Sequence, residues 1–121
     1  MKQICSYYVR DKKFNKLFPQ YDLRKIGYTS NYEQRIRQFP NVADLELVEY
    51  CKWNTTNEAW NCEQDWVKLQ SIHFRPFYWA KGLNFKAIKY MNEDMIAYLK
   101  SMLRRELTSN WGSTEWFVVK L

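Results

Sequence analysis

The chain has 121 residues and a mass of 14.9 kDa, a length that predicts a single domain spanning residues 1–121. Hydrophobic residues (46%) and charged residues (26%) are in the globular range, and three glycines and three prolines exclude a collagen-like or low-complexity chain. Aromatic residues reach 18%, which indicates either an aromatic core or a stacking surface.

The net positive charge is concentrated in the first third of the sequence. Residues 1–40 hold nine lysines and arginines against three acids, whereas residues 41–121 hold ten of each. A localised basic region is typical of proteins that bind a polyanion, with nucleic acid the first choice and an anionic membrane surface the second. A basic surface that serves only solubility is the alternative.

The sequence carries no export or metal-cluster signal. No stretch approaches the ~18 apolar residues that a membrane span needs, and residues 1–9 lack the apolar core of a signal peptide. Cys5, Cys51 and Cys62 form no Cys-x-x-Cys pair, and His73 is the single histidine. We therefore expect a soluble cytoplasmic protein with no membrane partner, no disulfide framework and no zinc site.

Three segments have the residue pattern of β-strands. Residues 4–9 and 22–28 are rich in β-branched and aromatic residues, and the basic connection 10–21 between them predicts an antiparallel pair. Residues 44–53 partly alternate and predict a third strand. Residues 112–121 predict a terminal strand or a packed tail.

Three segments predict helices. Ser30 and Glu33 form a capping-box pattern and Pro40 bars continuation, so a short helix is expected over residues 31–39. Residues 57–74 contain neither glycine nor proline and predict the main helix.

Residues 93–107 predict the last helix, with Asn92 as N-cap. Residues 75–85 are expected to be irregular. The order of elements predicts an α+β fold with a small antiparallel three-stranded sheet flanked by helices.

The two arginines of the first predicted helix are not equivalent. At 100° per residue, Tyr32, Ile36 and Phe39 fall within about 60° of one another and define the buried stripe. Arg35 lies at the rim of that stripe, where a guanidinium either snorkels or meets an anionic partner. Arg37 points away from it, as expected of a solvated charge.

One acid of the main predicted helix lies on its core face. With Ala59 as reference, the apolar arc also contains Cys62, Trp66, Val67, Leu69 and His73, and Glu63 falls inside it. Burying an unpaired carboxylate costs several kcal/mol, on the order of a charge desolvation, so Glu63 is expected to have a cationic side chain or a metal as partner. A structural salt bridge, or a water-exposed end of the arc, is the alternative.

Residues 25–39 resemble the second half of the GIY-YIG nuclease signature, in which an arginine follows the glycine by eight residues, as Arg35 follows Gly27. Residues 5–9, Cys-Ser-Tyr-Tyr-Val, resemble the first half and align Tyr7 with its tyrosine. Glu63, four residues after an alanine, resembles the metal-binding glutamate of the family. Glu-Trp-Phe at residues 115–117 resembles the end of the phage-type branch, whereas Lys25 replaces the tyrosine of YIG, as in some restriction-enzyme members.

The resemblance implies a Mg²⁺-dependent DNA endonuclease of GIY-YIG type that acts in the cytoplasm, or in the host cytoplasm if it is phage-encoded. Tyr7 would take the proton of the attacking water, with Lys25 as a cross-strand neighbour that favours the phenolate. Arg35 would bind the non-bridging phosphate oxygens, and Glu63 would hold one divalent ion.

The remaining basic side chains of the first third would contact the DNA backbone without reading bases; they are Arg10, Lys12, Lys13, Lys16, Arg24 and Arg37. Residues 75–81 interleave basic and aromatic side chains, a pattern that fits either a stacking platform or a plug of the core. With no second domain, sequence selectivity would come from the nuclease module itself or from a partner protein.

Two rival interpretations remain open. One is a GIY-YIG-like module that has lost catalysis and binds nucleic acid or a host protein. The other is an aromatic-rich RNA- or single-strand-binding protein of unrelated α+β fold, which a sheet without Tyr7 and Lys25 side by side would favour.

Overall fold

The computed structural model describes residues 3–77, 82–104 and 115–121, and these residues form an α+β fold. In chain order the elements are β1 (Cys5–Asp11), α1 (Lys12–Leu17), β2 (Tyr21–Thr29), α2 (Tyr32–Arg37), β3 (Leu45–Lys52), α3 (Thr56–Lys68), β4 (Ile72–Phe74), α4 (Glu93–Arg104) and β5 (Trp116–Lys120). Two 3₁₀ helices, Val42–Asp44 and Phe85–Tyr90, precede β3 and α4.

The strands form one antiparallel sheet in the order β3-β1-β2-β5-β4. The predicted pairing of β1 with β2 is confirmed, and β3 joins the free edge of β1. The prediction of a three-stranded sheet was wrong in detail, because the described residues contribute five strands. β5 lies in the segment 112–121 predicted as a terminal strand or a packed tail, whereas β4 was not predicted. These two strands pair with each other across more than forty residues of chain, a contact that local patterns do not predict.

The main helix is shorter than predicted, because residues 72–74 belong to β4. Although no glycine or proline interrupts residues 57–74, α3 ends at Lys68 and Ile72 and Phe74 pair with β5. Leu69, predicted to lie on the buried arc, is exposed, and His73 leaves the helix altogether. Ala59 and Glu63 are buried as the periodicity predicted.

The two faces of the sheet bury separate apolar clusters. Tyr7, Val9, Leu23 and Trp116 face the larger cluster, which also contains residues of α1, α4 and the segment after α2. On the opposite face, Tyr8, Ile26, Phe117 and Val119 pack against side chains that include Trp66 and Val67 of α3.

Helix α2 is confirmed, with a different cap from the one predicted. Its N-cap is Asn31, whose side chain accepts a hydrogen bond from the backbone N–H of Gln34. Phe39 is fully buried, while Tyr32 and Ile36 pack against the larger cluster as expected. Asn92 accepts a hydrogen bond from the backbone N–H of Met95, as predicted for the start of α4.

Some predicted features lie outside the described residues. They are residues 105–107 of the last predicted helix, residues 112–114 of the terminal segment, and residues 78–81 of the predicted stacking segment. Within that stacking segment, Phe77 is buried in the larger cluster and Arg75 is exposed.

The connection 10–21 contains α1 because Asp11 caps it. The Asp11 carboxylate accepts hydrogen bonds from the backbone N–H of Phe14 (3.0 Å), the Asn41 amide (2.7 Å) and the Tyr98 hydroxyl (2.6 Å). Asp11 is fully buried, so these donors replace the water that the carboxylate loses. One side chain thus links β1, α1, the residues after α2, and α4.

Replacing Asp11 by Asn is expected to lower the free energy of unfolding by about 2–4 kcal/mol, because an amide cannot accept all three hydrogen bonds in the buried site. Urea denaturation measures the loss. The exposed acid Asp65, changed to Asn in the same way, is the control and should shift the unfolding free energy by no more than about 0.5 kcal/mol. Equal effects of the two substitutions would contradict a role for Asp11 as the link.

Candidate active site

Tyr7 of β1 lies directly across from Gly27 of β2, and the two residues fit only because Gly27 has no side chain. A Cβ atom at Gly27 would lie 2.6 Å from the Tyr7 hydroxyl oxygen and 2.8 Å from Cζ of its ring. The phenol of Tyr7 therefore packs over the backbone of β2. This contact gives the glycine of the sequence motif a structural reason: it makes space for the tyrosine.

Lys25 is fully buried, and its ammonium forms an ion pair with the carboxylate of Glu115. Glu115 is about half exposed (49%) and immediately precedes β5, whose first residue, Trp116, pairs with Lys25. The Lys25 Nζ atom also lies 5.5 Å from the centre of the Phe39 ring. Burial lowers the pKa of Lys25, and the charge and hydrogen bond of Glu115 oppose that change.

Arg35 projects from α2 to the same place. Its guanidinium lies 5.2 Å from the centre of the Phe39 ring and donates a hydrogen bond to the side chain of Gln38 (2.9 Å). Its charge and a hydrogen bond favour the ionised form of Tyr7. Arg37 is exposed on the opposite side, so the predicted difference between the two arginines is confirmed.

Glu63 approaches the group from α3 and is only 8% exposed. Among the described residues, its carboxylate forms no hydrogen bond or ion pair. Burial raises the pKa of Glu63 to about 7, the negative charge of Glu115 adds to the increase, and Lys25 opposes it. An acid whose pKa lies near neutrality and whose neighbours are a cation and a second acid is typical of functional sites.

The position of α3 depends on Ser6, the residue before Tyr7. The buried Ser6 hydroxyl donates a hydrogen bond to the carbonyl oxygen of Ala59 (2.7 Å) and accepts one from the indole N–H of Trp53 (3.0 Å). Ala59 lies one helical turn before Glu63, so this bond fixes the turn that carries the acid. The helix itself begins with a Thr55–Glu58 capping box.

The four residues predicted from separate stretches, Tyr7, Lys25, Arg35 and Glu63, are thus brought together. Arg35 and Glu63 act on the pKa of both Tyr7 and Lys25, and Lys25 acts on the pKa of Glu63. Tyr7 and Lys25 lie on one face of the sheet but are not directly opposite, since Lys25 pairs with Val9 and Tyr7 with Gly27. They are diagonal neighbours, roughly 7–8 Å apart between backbones.

The electrostatics of the site give no support to the expectation that Lys25 makes Tyr7 easier to ionise. Burial raises the pKa of Tyr7 above its ordinary value, and the charges of Glu115 and Glu63 raise it further. The cation that opposes this rise is Arg35. The Lys25 ammonium is directed instead to Glu115.

Glu115 is the member of the group that sequence reasoning did not assign to the site. The available signal was the Glu-Trp-Phe at residues 115–117, which resembles a family sequence near the chain end. Its partner could not be inferred locally, because Lys25 and Glu115 are 90 residues apart. The pairing of β5 with β2 brings them together.

The predicted DNA-contacting residues divide into two groups. Lys12, Lys13 and Lys16 are exposed on α1, where they line a surface cleft with Asp44. Arg10 and Arg24 are half-buried and bind the carboxylate of Asp22 at 3.2 and 2.8 Å. These two arginines therefore have a structural role that the sequence did not indicate.

The donor set is compatible with one divalent ion. No group of three or more histidine, cysteine, aspartate or glutamate side chains is placed to hold a metal within the described ranges. Mg²⁺ does not require such a cage, since it commonly keeps several waters and takes one or two carboxylates. The buried Glu63, unpartnered among the described residues and close to the charge of Glu115, fits that requirement.

Comparison of the chain with protein-family models, curated proteins and solved structures gave no match. The resemblance to GIY-YIG nucleases therefore rests on the residues quoted above and stays a prediction. No helix among the described residues has the length and apolar character to cross a membrane.

Replacing Gly27 by Ala is expected to destabilise the protein by about 1–3 kcal/mol, because the new methyl group overlaps the ring of Tyr7. Urea denaturation measures the change. Gly82→Ala is the matched control, since a Cβ there meets no atom within 4 Å. If the two alanine variants are equally stable, the close contact between the Tyr7 ring and the backbone of Gly27 is contradicted.

Glu63→Gln is expected to change how stability depends on pH. The pKa of Glu63 rises from 4.5 to about 7 on folding, so the wild type loses stability as pH rises through that window. The variant lacks this loss and should gain about 1–3 kcal/mol relative to wild type between pH 4.5 and pH 8. Denaturant titrations at pH 4.5 and pH 8 measure this gain, with Asp65→Asn as the control. If the difference in unfolding free energy between Glu63→Gln and the wild type is the same at both pH values, the raised pKa of Glu63 is contradicted.

Proposed function

We propose that this protein is a Mg²⁺-dependent endonuclease that hydrolyses phosphodiester bonds in DNA. The observation that carries the proposal is Glu63, a buried carboxylate without a partner among the described residues, which lies within electrostatic reach of Lys25, Glu115 and Tyr7. A purely structural site would pair this acid or replace it by an apolar residue.

Two cationic side chains provide the complement to a phosphodiester. Arg35 would bind the non-bridging oxygens through two parallel N–H groups, and the Phe39 ring beneath its guanidinium restricts the orientation. Lys25 adds positive charge from within the sheet. Both groups are held before substrate arrives, which reduces the reorganisation needed as charge develops on the phosphate.

Glu63 would hold the metal, with Glu115 as the adjacent carboxylate. Bound there, Mg²⁺ would polarise the scissile phosphate and stabilise the leaving oxygen. Tyr7 remains the proposed general base: its hydroxyl would first release its proton to solvent, and the phenolate oxygen would then take the proton of the attacking water. The two carboxylates that raise the pKa of Tyr7 are Glu115 and Glu63, so neutralising them favours ionisation while Arg35 stabilises the phenolate.

Backbone contacts would come first from the exposed lysines of α1, Lys12, Lys13 and Lys16, and from Arg37. Arg10 and Arg24 would contribute only through the part of their charge that Asp22 leaves uncompensated. We propose that the protein acts in the cytoplasm, or in the host cytoplasm if it is phage-encoded. A partner protein could direct it to particular DNA sites.

A second candidate function is a GIY-YIG-like module that binds nucleic acid or a host protein without cleaving it. The raised pKa of Tyr7 favours this alternative, because a phenol that stays protonated cannot act as the base. Binding of DNA without metal-dependent turnover would distinguish the two functions.

Nicking of supercoiled plasmid, with Mg²⁺ or with EDTA, tests the proposal. We expect cleavage only with Mg²⁺, and a loss of about 100-fold or more in Glu63→Gln and Tyr7→Phe. Arg35→Lys should also lose activity, because an ammonium cannot bind two phosphate oxygens in parallel.

Asp65→Asn is the matched control, since it removes an exposed acid from the same helix. It should cleave at the wild-type rate. Full activity of Glu63→Gln would remove the central claim. Metal-independent binding with no cleavage by the folded wild type would support the inactive module instead.

A further inference from the structure

Two cysteine side chains are neighbours of Ser6 on the face of the sheet that α3 covers. Cys51 of β3 is the cross-strand partner of Ser6 in β1, so the two side chains point to the same face, with Cβ atoms roughly 4.5–5.5 Å apart. That face is the one covered by α3, because the Ser6 hydroxyl donates a hydrogen bond to the carbonyl oxygen of Ala59. Cys62 of the same helix forms a side-chain hydrogen bond with Ser6.

The turn of α3 that carries Cys62 lies close to the sheet. The Ser6 hydroxyl oxygen is 2.7 Å from the carbonyl oxygen of Ala59, so only small side chains separate the helix backbone from β1. Cys62 follows Ala59 by three residues, about one turn of helix. A disulfide spans Cα separations of about 4.4–6.8 Å, and a helix held this close to a strand is the arrangement in which their cysteines can be joined.

The electrostatics of the two thiols agree with the strand register. Burial raises the pKa of Cys62, the hydrogen bond with Ser6 opposes that increase, and a negative charge on Cys51 adds to it. Charges in a protein act on one another strongly only at short range. The effect of Cys51 on Cys62 therefore indicates that the two sulfur atoms lie near each other.

A small oxidant can reach this pair. Cys51 and Cys62 are free thiols of intermediate exposure, whereas Cys5 is fully buried. Cys62 lines a surface pocket of about 310 Å³ together with Trp53 and Trp66. Hydrogen peroxide is small enough to enter such a pocket.

A bond between Cys51 and Cys62 would displace the acid of the candidate site. Helix α3 packs over β2 and β1, and β3 lies beyond β1 at the edge of the sheet. Joining Cys62 to β3 would pull its turn of helix toward that edge and away from β2, which carries Lys25. Glu63 is the next residue of the helix, so it would move with Cys62.

We propose that Cys51 and Cys62 are a redox-sensitive pair, which hydrogen peroxide joins by a disulfide bond and a dithiol restores, and that the disulfide switches off the site containing Glu63. The switch rests on the proposed function, whereas the disulfide itself does not. A reversible bond of this kind is the typical use of a disulfide in a reducing compartment.

The oxidation proceeds in two steps. The thiolate of one cysteine attacks a peroxide oxygen, the O–O bond breaks, and the sulfur becomes a sulfenic acid while the other oxygen takes up a proton and leaves as water. The thiolate of the second cysteine attacks the sulfenic sulfur, the S–O bond breaks, and the hydroxide that leaves is protonated to water. The thiols lose two electrons to the peroxide, so two thiols and one hydrogen peroxide give one disulfide and two waters.

Peptide mapping of the full chain tests the bond directly. Lys52 separates the two cysteines, so trypsin places them on peptides 38–52 and 53–68. After treatment with hydrogen peroxide and blocking of the remaining thiols with N-ethylmaleimide in denaturant, we expect the two peptides to be joined, lighter than their sum by two hydrogen atoms. Dithiothreitol should separate them, and Cys51→Ser should give no joined peptide.

Cys5 is the internal control. It is fully buried, and as the residue before Ser6 in β1 its side chain points to the other face of the sheet. Its tryptic peptide, 3–10, should stay unlinked. A link that involves Cys5, a link only between two copies of the chain, or oxidation of either cysteine to a sulfinic acid without any link would overturn the proposal.

Nicking of supercoiled plasmid tests the switch. The linked wild type is expected to cleave about tenfold more slowly than the reduced protein, or slower still, because small displacements of a catalytic group cost large factors in rate. Dithiothreitol should restore the rate. The Cys51→Ser, Cys62→Ser double variant should cleave equally before and after peroxide, which controls for oxidation of other side chains.

The two parts of the proposal and the nuclease fail separately. Equal cleavage rates of the linked and the reduced wild type would refute the switch. A joined pair of peptides from a protein that never cleaves would keep the redox pair and remove the nuclease.

Discussion

A buried ammonium in the middle of the sheet is the constraint on which the candidate site depends. Lys25 has no exposed surface, and removing its charge from water is costly unless a counter-charge replaces the solvent. That counter-charge is Glu115, which becomes available only when β5 pairs with β2. The C-terminal strand therefore completes the electrostatics of a site whose other members lie between Tyr7 and Glu63.

Much of the secondary structure can be predicted from short-range sequence patterns, whereas the candidate site can be predicted only in part. The helix after β2 and the inward direction of Glu63 were predictable, because capping residues and a 3.6-residue period act over a few positions. The end of α3 was not predictable, because residues 72–74 form a strand only by pairing with β5. Glu115 and the raised pKa of Tyr7 depend on partners and burial that arise from the assembled sheet.

Two residues in the segments that resemble the GIY-YIG pattern have partners within the fold. Ser6 donates a hydrogen bond to the backbone of α3 and accepts one from Trp53 of the segment after β3. Lys25, which stands where the pattern has a tyrosine, is matched by Glu115. Each of the two residues therefore contributes to contacts within the fold itself.

The energetics of the cluster favour a ligand over a purely structural role. A buried lysine and a buried glutamate with a pKa near 7 both lower stability relative to apolar side chains of similar volume. Such features persist where binding energy compensates them. In the proposed complex, a phosphodiester would face Arg35 and Lys25, and a divalent ion would face Glu63 and Glu115, which in the free protein pairs with Lys25. The net charge of the cluster would then change little on binding.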